Sequence, residues 1–223
     1  MNAKNSFPGR LIAVEGLDGS GKSTQIYLLH QWLKGMKRKV FFSEWNSSTL
    51  VKEATRRGKK GQLLTPTTFS LIHATDFADR YERQIQPMLE GGYIVLCDRY
   101  MFTSFARDGV RGCEKSWLRD LYSFAAVPDI TLYFRLPSSI ALGRILEGRP
   151  TLKYFEAGMD LGLSSDLTTS FSMFSERIMA QYEGMAQEFG FVSIDATRLI
   201  HEQQEIVRNV VSTRIELSRF ARR

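Results

Sequence analysis

The sequence predicts an α/β fold: a doubly wound five-stranded parallel sheet with helices on both faces and a short lid. Three observations predict it. Five short apolar runs of buried-strand type alternate with longer segments of helical period, the pattern of βαβ units. A glycine-rich stretch joins the first run to a helix-like segment, as a strand-to-helix phosphate loop requires. No Pro-, Gly- or Ser-rich interruption divides the 223 residues, 43% of them hydrophobic, so the chain reads as one domain over 1–223 with a full core.

The first strand is "LIAVEG" (11–16), and "EGLDGSGKST" leads from it into the helical run "STQIYLLHQWLKGM". The stretch fits G-x-x-x-x-G-K-[ST], with Gly16, Gly21, Lys22 and Ser23 at the fixed places. A strand that turns through glycines into a helix aims backbone N–H groups and the positive end of the helix dipole at one point, which suits a phosphate. Lys22 then neutralises β/γ-phosphate oxygens and Ser23 sets its hydroxyl on Mg²⁺, while Gly19, Ser20 and Thr24 complete the cradle. "KVFFSEW" (39–45) is the second strand.

Residues 66–90 read as one long helix, with Phe69, His73, Phe77 and Tyr81 on an i, i+4 row, Pro87 kinking the last turn and "GG" at 91 and 92 ending it. The third strand, "YIVLCDR" (93–99), delivers Asp98 and Arg99 beside the loop. A carboxylate there holds Mg²⁺ or its water shell, and an arginine fork bridges donor and acceptor phosphates. "DITLYFRL" (129–136) and "FVSIDA" (191–196) supply the fourth and fifth strands. Glu15, Glu44, Asp98, Arg99 and Asp195 all fall at strand carboxyl ends, where doubly wound sheets bind ligands. Between 148 and 166 the pattern breaks into glycines and a proline, read as a mobile lid.

The net charge of +6 favours anionic partners, and nucleotides and nucleic acids both qualify. The basic runs "RRGKK" (56–60) and "RFARR" (219–223) read as solvated ends. Cys97 and Cys113 show neither a disulfide nor a zinc pattern. "MNAKNSFPGR" has no apolar signal segment and no run reaches bilayer length, so no membrane partner and a cytoplasmic location are expected.

Together, "EGLDGSGKST", "ADR" on the long helix, "DRY" followed by "TSFARDG", "DITLYFRL" with "ALGRI", and the late "YEGMAQEFGFVSIDATRLIHEQQEIV" resemble the thymidylate kinase family of P-loop nucleoside monophosphate kinases, from about residue 10 to 210. The resemblance implies a P-loop NTPase-type fold that uses ATP and Mg²⁺. It implies that Asp18 meets the acceptor's sugar hydroxyl, Arg80 the acceptor nucleotide and Arg99 the transferred phosphate. It also places Asp195 to Thr197 beside the donor adenine and Arg149 in the lid as a catalytic arginine.

Departures cluster on the acceptor side. Asp76 stands where the family places an aromatic ring, which leaves Phe77 or His73 as the ring against the base. Arg107 and Asp108 occupy positions where Tyr and Gln are usual, Trp45 follows Glu44 where an arginine is usual, and Lys153 and Tyr154 break the lid's arginine pattern. The expected activity is phosphoryl transfer from Mg-ATP to a nucleoside monophosphate, first of all dTMP. A different nucleotide, nucleic-acid or metabolite acceptor stays open, as does a non-catalytic nucleotide switch. A homodimer is open too; nucleic acid is not the favoured partner.

Overall fold

The computed structural model describes residues 6–221, so the first five residues of the N-terminal stretch and the last two of "RFARR" lie outside it. Strand β1 (Arg10–Gly16) leads into helix α1 (Lys22–Gly35), and β2 (Val40–Glu44) into α2 (Lys52–Lys60). Helix α3 (Pro66–Arg80) continues through a π-helical stretch, Tyr81–Ile85, into α4 (Gln86–Glu90). After β3 (Ile94–Asp98) come α5 (Met101–Val110) and α6 (Lys115–Leu121), then β4 (Ile130–Arg135) and α7 (Ser138–Gly148). Helix α8 (Leu167–Phe189), β5 (Val192–Asp195) and α9 (Ile200–Arg214) close the fold.

The five strands form one parallel sheet in the order β2-β3-β1-β4-β5. Leu11, Ile12, Ala13 and Val14 of β1 are all fully buried. Because successive strand residues face opposite sides, both faces of the sheet must be covered. The covering helices pack in pairs, α1 with α9 and α5 with α8. β1 is central, so the loop at its end opens between β3 and β4, where the strand order reverses and α/β sheets place their ligands.

The long helix predicted over 66–90 runs unbroken, but not as a simple α-helix. Pro87 has no N–H and its ring crowds the carbonyl four residues back, and the turn before it widens to the π form. Gly91 ends the helix and Gly92 follows at a φ of 72°. Lid residues 149–166 are seated: Leu152 and Ala157 are buried, and the Ala157 carbonyl accepts from Ser170 Oγ at 2.8 Å. Among the described residues no helix is long and apolar enough to cross a membrane. Cys97 is in the core and Cys113 half-buried, both free thiols. Of the basic terminal run, Phe220 is buried and its carbonyl accepts from Lys39 N at 2.7 Å.

Candidate active site

Donor-side geometry follows from the first turn of α1. Its N-cap, Gly21, sits at a φ of 77° and makes no side-chain cap, so the first N–H groups of a 14-residue helix are left for a ligand. Gly19 has a φ of 79°, and a Cβ there would lie 2.6 Å from the Ala141 carbonyl of α7, so only glycine lets the loop lie against that helix. Lys22 is buried within 3.8 Å of Asp18; burial, then the neighbouring Arg99, push its amine down to about 8. A cation held this way gains its full charge when an anion arrives.

Ser23 Oγ donates to Asp98 Oδ2 at 2.6 Å, while Asp98 Oδ1 and the hydroxyl of Ser20 are buried without partners. An orphaned carboxylate oxygen beside a hydroxyl fits a small hard cation shared with phosphates. Among the described residues no group of three or more His, Cys, Asp or Glu stands ready to hold a metal, so the donors here suit an ion that brings its own phosphate ligands. Thr24 is exposed on the same turn. Asp195 Oδ1 closes a tight turn with the Thr197 N–H (2.9 Å) and hydroxyl (2.6 Å). Gln25 of α1 donates to the Ile200 carbonyl at 3.1 Å, which ties that loop to the phosphate-loop helix.

Arg99 links the two sides. Its backbone is left-handed at a φ of 70°, a strain that a non-glycine residue accepts only where its surroundings enforce it. Glu15 is the enforcing group: fully buried, it accepts from Tyr100 N (2.8 Å), Thr103 Oγ1 (2.6 Å) and Tyr182 Oη (2.8 Å). Burial raises the Glu15 carboxyl above its usual range, against those donors and Arg99. The Arg99 side chain reaches Asp18 in a short ion pair and the Gly16 carbonyl at 3.3 Å. Asp18 also takes Arg107 at 2.5 Å. Burial alone would raise the Asp18 carboxyl, but Arg107, Arg99 and Lys22 hold it well below the carboxylate range.

Beside Arg99 opens a cavity of about 460 Å³, large enough for a nucleotide. Trp45, Phe69, His73, Tyr154 and Phe155 supply its rings, and Lys59, Lys60, Arg107, Arg111 and Lys153 join Arg99 as its cations. Several expected acceptor residues are placed differently. Phe77 is fully buried among Tyr81, Tyr100, Tyr122 and Phe124 and is off the cavity wall; the helix presents His73, one turn earlier, instead. Arg80 is fully buried too, with Nε on Asp76 and Nη1 on Ser43 Oγ, both at 2.9 Å. Asp76 also accepts from Asn46 N (3.2 Å) and Ser48 N (2.9 Å), so it anchors the loop after β2. Asp108 is fully buried behind His73 rather than open to the cavity.

In the lid, Arg149 forms a short ion pair with Glu156, whose same oxygen accepts from Lys153 N at 3.2 Å. Lys153 lines the cavity and Arg149 does not. Two participants escape sequence reasoning. Arg111 is buried, donates to Asp160 (2.7 Å) and to the Phe155 carbonyl (2.8 Å), and lies 4.8 Å from the rings of both Phe69 and Phe174. It thereby holds the lid to α5; its place four residues after Arg107, on the same helical face, was the available signal. Lys59 belongs to the "RRGKK" run expected to be solvated, yet burial, then Arg107 and Arg111, push its amine down to about 8.

Comparison with known proteins agrees with this geometry. The thymidylate kinase family model matches residues 14–207. A probable thymidylate kinase 2 of Saccharolobus solfataricus is 44% identical over 211 residues, covering 94% of this chain and 99% of the relative. A probable thymidylate kinase of Pyrobaculum aerophilum is 30% identical over 90% of this chain and 97% of its own length. Another, of Thermococcus kodakarensis, is 35% identical over 60% of this chain and 70% of its own.

Proposed function

The chain belongs to the thymidylate kinase family, and from that premise we propose that it transfers the γ-phosphoryl group of ATP to dTMP, giving dTDP and ADP. The observation that carries the assignment to these residues is Arg99, strained into place between the phosphate loop and the cavity and touching both. Two of the acceptor-side departures have roles within the fold or on Asp18, so neither calls for another acceptor: Asp76 anchors a loop and Arg107 holds Asp18.

In this reading the orphan N–H groups of α1 and Lys22 orient the donor phosphates, and the Asp195–Thr197 turn borders the adenine. Ser23 and Asp98 would hold Mg²⁺, which when bound neutralises charge on the β- and γ-phosphates. The ionised Asp18 accepts a hydrogen bond from the acceptor's sugar hydroxyl and keeps Arg99 and Arg107 pointing into the site. Trp45 and His73 flank the base. Arg99 draws the acceptor phosphate towards the γ-phosphorus, so that an acceptor oxygen forms the new P–O bond as the bond to ADP breaks. Catalysis then rests on positioning and on cations aimed at developing charge. We assign one kinase domain to the whole chain, with residues 148–166 as the lid that excludes water.

The test is ADP release with Mg²⁺, ATP and a panel of nucleoside monophosphates. dTMP should be the preferred acceptor; turnover of another monophosphate with none of dTMP would refute the assignment.

A further inference from the structure

We propose that Lys59 reads the far edge of the acceptor base, donating to a carbonyl at position 4 and so selecting thymine or uracil over cytosine. The inference rests on the cavity being the acceptor site of the proposed kinase. Helix α5, with Arg111 at its C-cap, measures that cavity: Thr103, Arg107 and Arg111 all line it, at four-residue spacing on one helical face, about 6 Å per step. Thr103 marks the phosphate end, where its hydroxyl donates to Glu15 at 2.6 Å and accepts from Arg99 at 3.4 Å. Arg107 marks the middle, on Asp18. Arg111 marks the far end, 4.8 Å from the Phe69 ring, and the Lys59 ammonium lies 5.2 Å from that same ring. A nucleotide laid along this row puts its phosphate at Arg99, its sugar at Asp18 and its base among Trp45, Phe69 and Phe155. Position 4 lies across a pyrimidine ring from the bond to the sugar, so its substituent is the one that reaches Lys59.

Other polar groups near that end are closed off or engaged. Arg80 keeps Nη2 without a partner, but the atom is covered by protein, as are both nitrogens of His73 and both oxygens of Asp108. Arg111 is held by Asp160 and the Phe155 carbonyl. Lys59 differs. Among the described residues its ammonium has neither a hydrogen bond nor a carboxylate partner, yet it is not covered: the side chain is half-buried and lines the cavity. Phe69 holds one side of the ammonium by cation–π attraction, which leaves N–H groups on the other side for a ligand. Burial, then Arg107, Arg111 and Lys153, disfavour its charge against Asp108, so a ligand oxygen there relieves a strained cation. An ammonium offers three donors and no acceptor. The 4-carbonyl of thymine or uracil accepts from it, whereas the 4-amino group of cytosine sets donor against donor.

The experiment compares kcat/KM for dTMP and dCMP, with saturating Mg-ATP, in the unsubstituted chain, Lys59→Met and Lys59→Gln. Lys59→Met keeps an unbranched stem over Phe69 without donors, and should lower the dTMP-to-dCMP ratio at least tenfold, mainly through the KM for dTMP. The amide of Lys59→Gln can turn either its NH₂ or its carbonyl to the base, so that variant should lose the preference as well. Thermal unfolding checks each variant; should Lys59→Met fail to fold, Lys59→Gln decides alone. A ratio within about twofold of the unsubstituted chain in the folded variants, including an equal loss with both acceptors, overturns the inference and leaves the kinase assignment standing. No dTMP turnover by the unsubstituted chain overturns both.

Discussion

Lys22 carries a measurable signature of its surroundings. Its amine titrates near 8 because burial and Arg99 disfavour the charge, whereas bound phosphates favour it. Below that pH the free protein is already charged and binds the donor fully; as pH rises through 8 the lysine must take up a proton to bind. ATP affinity should therefore weaken above pH 8, and calorimetry in buffers of different ionisation enthalpy should show proton uptake near pH 8. Pure proton release there would contradict the assignment. Lys22→Ala should cost about 10²–10³ in kcat, the scale of one lost charge-stabilising group, without unfolding the chain. Glu15 acts one step back. Glu15→Gln sets an amide hydrogen against one of three buried donors, so it should destabilise by about 2–3 kcal/mol and lower turnover by loosening Arg99. Chemical denaturation and steady-state kinetics on one preparation check both.

The lid is the element whose catalytic share is most open to test. Arg149 is paired with Glu156 while Lys153 already faces the cavity, so lid closure must redirect Arg149 if it is to meet the transferring group. A guanidinium fork holds two phosphate oxygens where an ammonium offers a point charge. Arg149→Ala should accordingly lower kcat at least tenfold while the Kd for ATP barely changes; unchanged kcat in Arg149→Ala together with a dead Lys153→Ala would move the role to Lys153. The five strands and the first helix were legible to within about a residue, because strands buried on both faces read as unbroken apolar runs such as Leu11–Val14. The convergence of Lys22, Ser23, Asp98 and Arg99 on one loop was legible as well, since each stands at a strand or loop end next to it in sequence. What was not legible depends on distant packing: the π stretch answers Pro87 within the helix, the choice of His73 over Phe77 for the cavity is made by the aromatic cluster around Tyr100 and Tyr122, and Lys59 becomes a wall residue only once α2 folds across Phe69.

On the scale of the whole molecule, the site is a junction between parts that sheet topology alone does not hold together. The phosphate loop belongs to β1 and α1, the cavity wall to α2, α3 and α5, and the roof to a lid fastened by Arg111 to Asp160 and Phe155. Cations outnumber carboxylates around this junction, as five basic side chains line the cavity besides Arg99. Their mutual repulsion burdens the ligand-free protein and is relieved by anions. Ligands should therefore stabilise the fold as well as occupy it. Mg-ATP at 100 times its Kd contributes about 2.7 kcal/mol, which for a domain of this size raises Tm by about 5–10 °C. Chelation with EDTA should remove most of that shift if Ser23 and Asp98 act through the metal. Adding dTMP as well, with a non-hydrolysable ATP analogue to prevent turnover, should raise Tm beyond the sum of the separate shifts, because the lid ordered by one ligand costs the second less to order. A strictly additive pair of shifts would mean that donor and acceptor bind to independent halves and that the lid couples nothing.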